Sequence, residues 1–103
     1  MPGFRYSHVP ALLLACLPLG AVAGDDVQAR SLAANCTSCH GPGGVSTGGI
    51  PALAGRPKQA LLESLQGFKA GTLPATVMHQ HAKGYTDAEL IILAEYFSSR
   101  EQK

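Results

Sequence analysis

Apolar positions recur at helical spacing in two stretches of the chain, one from residue 57 to 71 and the other from 86 to 100. Spacings of three and four residues place such side chains on one face of an α-helix. In the first stretch the apolar positions are Leu61, Leu62, Leu65 and Phe68. Because Pro57 suits the first turn of a helix and Gly71 its end, the pattern predicts a helix between them.

The second stretch has a clear start signal. Thr86 followed three residues later by Glu89 is a capping box, in which each side chain accepts a hydrogen bond from the other residue's backbone N–H. We predict a helix from Asp87 to about Arg100, and its wide apolar face indicates packing on two sides. That face consists of Leu90, Leu93, Ala94 and Phe97, with Ile92 and Tyr96 beside it.

A weaker pattern precedes these two helices. Acidic residues suit a helix start, and the pair Asp25-Asp26 is followed by a segment that we predict as helix from Val27 to about Cys39. Glycine and proline are too frequent between Gly41 and Gly55 for a regular element, so this range is predicted to be a loop. No stretch reads clearly as a strand, and we expect an all-α fold.

Residues 1–23 have the features of a secretory signal peptide. Arg5 gives a basic start, residues 9–19 are apolar, and Ala21-Val22-Ala23 has the form of a cleavage site. We expect cleavage after Ala23, which leaves residues 24–103 as a single domain with no membrane span. An uncleaved anchor would need about 20 apolar residues. Lipid attachment at Cys16 is a second alternative.

The charge of this domain excludes some classes of partner. Loss of Arg5 with the leader leaves seven basic and seven acidic residues, so the net charge falls from +1 to zero. Such a balance does not favour nucleic acid or an anionic membrane surface. A domain of 80 residues also buries little apolar surface and usually needs a further source of stability.

Cys36-Thr37-Ser38-Cys39-His40 is the attachment motif of a c-type haem. Two cysteines three positions apart on a helical turn can reach both vinyl groups of one porphyrin, and His40 is then placed to ligate the iron. A zinc site would need two more ligands, and no cysteine follows Cys39. A redox dithiol would need a βαβ context that the chain lacks. We therefore predict one covalent haem c.

The sixth position of the iron has several candidates. Met78 is the only methionine outside the leader, and it lies 38 residues after His40, between the predicted second and last helices. We predict that its thioether is the second axial ligand. His79 and His81 would instead give a bis-histidine site, and an open sixth position would suit a peroxidase-like enzyme or a gas sensor.

Several segments together resemble a small class I cytochrome c. They are Cys36 to Gly41, Ile50-Pro51-Ala52-Leu53-Ala54-Gly55, Phe68-Lys69-Ala70-Gly71, Met78 and the closing amphipathic helix. The resemblance implies three to four helices wrapped around one covalent haem, with His40 and Met78 as axial ligands. It also implies that the carbonyl of Pro51 holds His40 in orientation.

A narrower resemblance is carried by residues 74–78 and 82–89. These segments are similar to the cytochrome subunit of flavocytochrome c sulfide dehydrogenase and to related dihaem cytochromes, although this chain has one haem motif. The resemblance implies a one-electron carrier, not catalytic alone, that accepts electrons from a sulfide-oxidising flavoprotein. The alternative is a free soluble cytochrome c that passes electrons to an oxidase or a photosynthetic centre. Because haem is attached to c-type proteins outside the cytoplasm, we expect a periplasmic location.

Overall fold

The computed structural model describes residues 2–3, 10–13, 15 and 21–102. In this part of the chain four α-helices and one 3₁₀ turn are present, and there is no strand. The helices are α1 (Ala21–His40), α2 (Lys58–Ala70), α3 (Met78–Lys83) and α4 (Asp87–Ser98), and the 3₁₀ turn is Pro42–Gly44. The all-α prediction is confirmed. Most of the predicted signal peptide at 1–23 lies outside the described residues.

Helix α1 begins six residues earlier than predicted, at Ala21 instead of Val27, and ends at His40. Nothing between Ala21 and Val27 breaks a helix as proline would, so the backbone stays helical through Gly24 and the acidic pair. The predicted cleavage position after Ala23 therefore falls within the first turn of α1. Cleavage there would leave Asp25 and Asp26 near the new helix start, where negative charge is favourable.

Helix α2 has the predicted end. Gly71 follows its last turn with φ 78°, the left-handed conformation that ends many helices and that residues with a Cβ adopt only with strain. Pro57 precedes the helix as its N-cap instead of lying in the first turn. Near the C-terminal end, Lys69 Nζ donates to the Tyr85 carbonyl at 2.8 Å and to Asp87 at 2.9 Å. These contacts tie the end of α2 to the start of α4.

The capping box of α4 is confirmed. The Glu89 N–H donates to Thr86 Oγ1 at 3.2 Å, and the Thr86 N–H donates to Glu89 Oε1 at 3.0 Å. Because the charged carboxylate accepts from Thr86, the pKa of Glu89 lies below its ordinary value. The helix ends at Ser98, two residues before the predicted end.

Helix α4 is the centre of the core and packs against both α1 and α2. The buried cluster consists of Ala33, Leu61, Leu90, Leu93, Ala94 and Phe97. Leu32 and Cys36 of α1 pack against this cluster. The haem motif at the end of α1 therefore lies beside this buried cluster.

Helix α3 was not predicted. The sequence pattern predicts a connecting segment at Met78–Lys83, but these residues form a six-residue helix that packs against α2 and buries Ala82. Six residues are too few for an apolar period to be recognised. Among the described residues, no helix combines the length and apolar character needed to cross a bilayer.

Candidate functional site

A cavity of about 420 Å³ lies between the helices and the loop that joins α1 to α2. Its volume falls in the range of small-molecule and cofactor sites, which are mostly apolar with a few polar groups. Much of its wall is apolar, formed by Leu53, Leu61, Leu65, Phe68, Leu93 and Phe97. The side chains predicted to bind the cofactor also line it: Cys36, Cys39, His40, Pro51 and Met78.

The two cysteines lie on the last turns of α1. Cys36 is half-buried against the core, and burial raises the pKa of its thiol. Cys39 is exposed. Both thiols are free and both line the cavity, as attachment to one planar group requires.

His40 ends α1 and is oriented by the following loop. Its Nδ1 lies 2.6 Å from the Pro51 carbonyl oxygen. A carbonyl can only accept, so Nδ1 carries the proton and Nε2 keeps its lone pair. A histidine held in this way presents Nε2 as a metal ligand and gains basicity from the hydrogen bond. The contact that the resemblance implied is present.

The loop that follows α1 brings Pro51 back to His40 because it turns tightly. The Gly44 carbonyl accepts from the N–H groups of Leu53 and Ala54 at 2.8 and 3.1 Å, which folds the loop back on itself. Gly44 has φ 79°, and a Cβ there would lie 2.7 Å from Phe97 Cδ1. The close approach of the loop to α4 therefore requires glycine at this position.

The candidate sixth ligands lie on α3. Met78 is the first residue of this helix and lines the cavity. The ring of His79 is centred 6.3 Å from that of Phe68, and its Nε2 contacts the Leu73 carbonyl. His79 is not among the lining residues, whereas His81 is exposed and also lines the cavity. The structure thus brings Met78 and His81 to the cavity.

Two further residues of the cavity wall were not predicted from the sequence. The Tyr85 hydroxyl donates to the Leu32 carbonyl at 2.8 Å, which joins the start of α4 to α1 beside Cys36. Burial raises the pKa of this phenol. Arg56 lines the cavity from the end of the loop. Tyr85 belongs to a segment that carried the narrower resemblance, but no local pattern marked Arg56.

The family model for cytochrome c matches residues 27–101, which include the whole motif and all of the cavity wall. The chain belongs to the cytochrome c family. This cytochrome c is 40% identical over 72 residues to the cytochrome subunit of sulfide dehydrogenase of Chlorobaculum tepidum, covering 70% of this chain and 66% of that protein. It is 35% identical over 100 residues to cytochrome c4 of Azotobacter vinelandii, covering 87% of this chain and 48% of that protein.

A third relative is the thiosulfate dehydrogenase electron acceptor of Thiomonas intermedia, 41% identical over 68 residues, covering 64% of this chain and 31% of that protein. The chain therefore spans between about a third and two thirds of the length of these relatives.

Membership of the family carries a covalently bound haem c, and both attachment cysteines are present. The cavity fits that group, because two thiols, an imidazole with a free Nε2 and apolar walls meet in one space. Within the described part of the chain, no three His, Cys, Asp or Glu side chains cluster as a metal site would need.

Proposed function

We propose that this cytochrome c is a one-electron carrier whose haem iron is ligated by His40 and Met78. The observation that carries the proposal is the His40–Pro51 contact in a cavity that Met78 also lines. When bound, haem c supplies an iron that alternates between the ferrous and ferric states. The hydrogen bond to Pro51 orients His40, and a thioether ligand favours the ferrous state.

The apolar residues of the cavity supply the second requirement of a carrier. With haem bound, they would exclude water from the iron, which would disfavour the more highly charged ferric state and raise the reduction potential. Among the described residues that line the cavity there is no Asp or Glu, so no pair of carboxylates is available there for acid–base chemistry. Electron transfer, without bond-making chemistry, is the activity that these residues support.

The ferric absorption spectrum of the native protein tests this ligation. Methionine bound to ferric haem gives a weak band toward the red end of the spectrum, and we expect that band. A low-spin spectrum without it would indicate that His81 is the ligand. A high-spin spectrum would indicate an open sixth position and an enzyme or sensor.

For the electron donor we propose a sulfide-oxidising flavoprotein that binds this cytochrome as a subunit. The similarity to the cytochrome subunit of sulfide dehydrogenase supports this assignment. The balanced charge of residues 24–103 fits a subunit better than a diffusing carrier, because a diffusing carrier gains association rate from strong charge.

A free soluble carrier is the second candidate. The similarity to a thiosulfate dehydrogenase electron acceptor favours it, since that name describes a protein reduced by a separate enzyme. Isolation of the native protein distinguishes the two. A flavin-containing subunit should remain bound through gel filtration if the first assignment is correct, and the cytochrome should elute alone if the second is correct.

We propose that the partner docks over the mouth of the haem cavity. Ile50 and Val77 line the cavity and are 43% and 56% exposed, so apolar surface is available there. Residues 41–49 beside this mouth contain no charged side chain. Small neutral loops allow a partner to approach closely, and electron transfer requires close approach.

We also propose that the protein acts in the periplasm. The pattern of residues 1–23 supports export, and covalent attachment of haem to c-type proteins takes place outside the cytoplasm. Fractionation of cells followed by mass measurement of the haem-containing chain tests location and cleavage together. A chain that begins at Gly24 and appears in the periplasmic fraction is the expected result.

A further inference from the structure

Lys69, near the C-terminal end of α2, contacts the chain just after α3. Its Nζ donates to the Tyr85 carbonyl at 2.8 Å and to Asp87 Oδ1 at 2.9 Å. The Lys69 side chain is 31% exposed, whereas that of Asp87 is 86% exposed. Because water and salt screen an exposed ion pair, we expect the bond to the Tyr85 carbonyl to contribute more than the bond to Asp87.

Tyr85 is closely joined to α3. Its N–H donates to the Ala82 carbonyl at 3.2 Å, and Ala82 is buried. Ala82 and Met78 lie about one turn apart on α3, which is rigid over so short a distance. A displacement of the Tyr85 backbone would therefore be passed to α3 and to Met78.

Residues 72–86, here called the Met78 segment, form one wall of the haem cavity. The N-terminal end of the segment is held on the last turns of α2, where the N–H groups of Thr72 and Leu73 donate to the Gly67 carbonyl at 2.9 and 3.3 Å. The C-terminal end is held by the lysine two positions further along the same helix. Both ends of the segment are thus attached to one part of α2.

We propose that Lys69 holds the Met78 segment in place against the haem cavity and thereby keeps Met78 on the iron. The inference rests on the proposed ligation by Met78. A thioether favours ferrous iron, so its bond to ferric iron is the weaker one, and the hold on the segment then sets how often Met78 leaves. Lys69 does not line the cavity and is a positioning residue.

Titration of the ferric haem-containing protein with imidazole tests the proposal. Imidazole binds only those molecules in which Met78 has left the iron, so its apparent affinity is the intrinsic affinity multiplied by that fraction. Lys69→Leu removes both hydrogen bonds and keeps a good helix former. We expect it to raise the apparent affinity about tenfold, which corresponds to about 1.4 kcal/mol. Loss of the methionine band during the titration measures the change.

Lys58→Leu is the matched control. Lys58 is the first residue of α2, and its Nζ lies 3.7 Å from Glu95 of α4. The control therefore also removes a lysine and an ion pair between α2 and α4, but at the end of α2 away from the Met78 segment. We expect it to change the apparent imidazole affinity by less than about twofold, because this pair is exposed. An equal rise in both variants would overturn the proposal.

A milder variant keeps the test decisive if Lys69→Leu does not accumulate with haem. The amide of Lys69→Gln is uncharged and one bond shorter than the lysine side chain, so it replaces the lost bonds only in part. We expect an apparent imidazole affinity about threefold higher than in the unsubstituted protein, because charge-assisted hydrogen bonds are the stronger ones. An unchanged affinity in Lys69→Gln contradicts the proposal.

Hydrogen exchange followed by mass spectrometry measures the hold on the segment directly. In the haem-containing proteins, amides of α3 should exchange about tenfold faster in Lys69→Leu, since exchange reports the local opening equilibrium. Those of α4 serve as the internal reference and should change much less. Exchange of α3 should be unaffected by Lys58→Leu. Unchanged exchange of α3 in Lys69→Leu overturns the proposal.

The Lys69 proposal and the Met78 ligation can fail separately. Absence of the methionine band in the unsubstituted protein contradicts the ligation, and hydrogen exchange then still decides whether Lys69 holds the segment. A methionine band that is present, together with an unchanged imidazole affinity in Lys69→Leu, overturns the Lys69 proposal alone.

Discussion

At the residue scale, the site differs in how its two proposed iron ligands, His40 and Met78, are positioned by the protein. His40 is held through Nδ1 by Pro51, whereas Met78 is the first residue of a short helix. Of the two proposed ligands, the histidine is thus the one with an observed hydrogen bond that orients it. Substitutions on α3 should change the sixth ligand without releasing His40.

We expect Met78→Ala to keep covalent haem but to become high-spin or histidine-ligated, with a lowered reduction potential. The proposed thioether ligand, which would stabilise ferrous iron, is then gone, and exposed His81 of the same cavity is available to replace it. Ferric absorption spectra and redox titration measure the change. His81→Ala is the control and should leave both unchanged; an unchanged spectrum in Met78→Ala would instead identify a histidine as the native ligand.

At the element scale, the capping box sets the start of α4, the helix on which the core is built. Its hydrogen bonds run from both backbone N–H groups to the opposite side chains. Since α4 packs on α1 and α2, fraying of its first turn would also loosen the contact between Lys69 and Asp87.

We expect Thr86→Ala to lower the free energy of unfolding by about 1 kcal/mol, because an N-cap hydroxyl is lost. Glu89→Gln tests how much the negative charge of the Glu89 carboxylate contributes to stability. The folded pKa of Glu89 lies below its ordinary value of 4.5, so its charge contributes stability above pH 4.5 that is lost as the pH falls through the folded pKa.

The difference in melting temperature between the unsubstituted protein and Glu89→Gln should therefore shrink as the pH falls below 4.5. Thermal unfolding followed by far-ultraviolet circular dichroism measures it. Glu63→Gln, at an exposed position of α2, is the control. A difference that persists at low pH would mean that the glutamine replacement acts through something other than charge.

At the scale of the whole molecule, the core is small and arranged around the cavity. The buried cluster contains six side chains, while the cavity has about 420 Å³. Without the cofactor, the apolar side chains that line a space of this size would face water, and a core this small offers little buried surface to offset that exposure.

We therefore expect the double variant Cys36→Ala, Cys39→Ala to yield no cooperatively folded product, since it cannot retain haem covalently. Circular dichroism and calorimetry of the purified variant measure this. Ser38→Ala is the matched control, because it changes an exposed position of the same turn and should retain haem and fold. A helical, cooperatively melting haem-free chain would contradict the prediction.

The neutral surface at the cavity mouth leads to a prediction on partner association. We expect the rate of reduction by the partner to depend weakly on ionic strength. Thr47→Glu should slow it without changing the haem spectrum, and Thr47→Gln controls for size. Thr47 suits this test better than Ser46, whose hydroxyl contacts the Ile50 and Gly48 carbonyls and holds the loop. A steep dependence on salt would place the docking face elsewhere.

Features that depend on residues close together along the chain could be predicted from the sequence. The haem motif, the end of α2 at Gly71 and the capping box of α4 each follow from spacings of a few residues, so local geometry sufficed. The class of cofactor followed from the same motif. The start of α1 was misjudged because helix ends depend on weak local preferences.

Contacts between residues far apart along the chain became known only from the folded structure. The contact of His40 with Pro51 spans 11 positions and was implied by resemblance, not by spacing. The His79 ring contacts the Leu73 carbonyl and does not line the cavity, although its sequence neighbour Met78 does. Arg56 became a cavity residue only when α2, α3 and α4 closed around the same space. Such contacts depend on how the helices pack against one another, and the spacing of residues within one helix does not predict that packing.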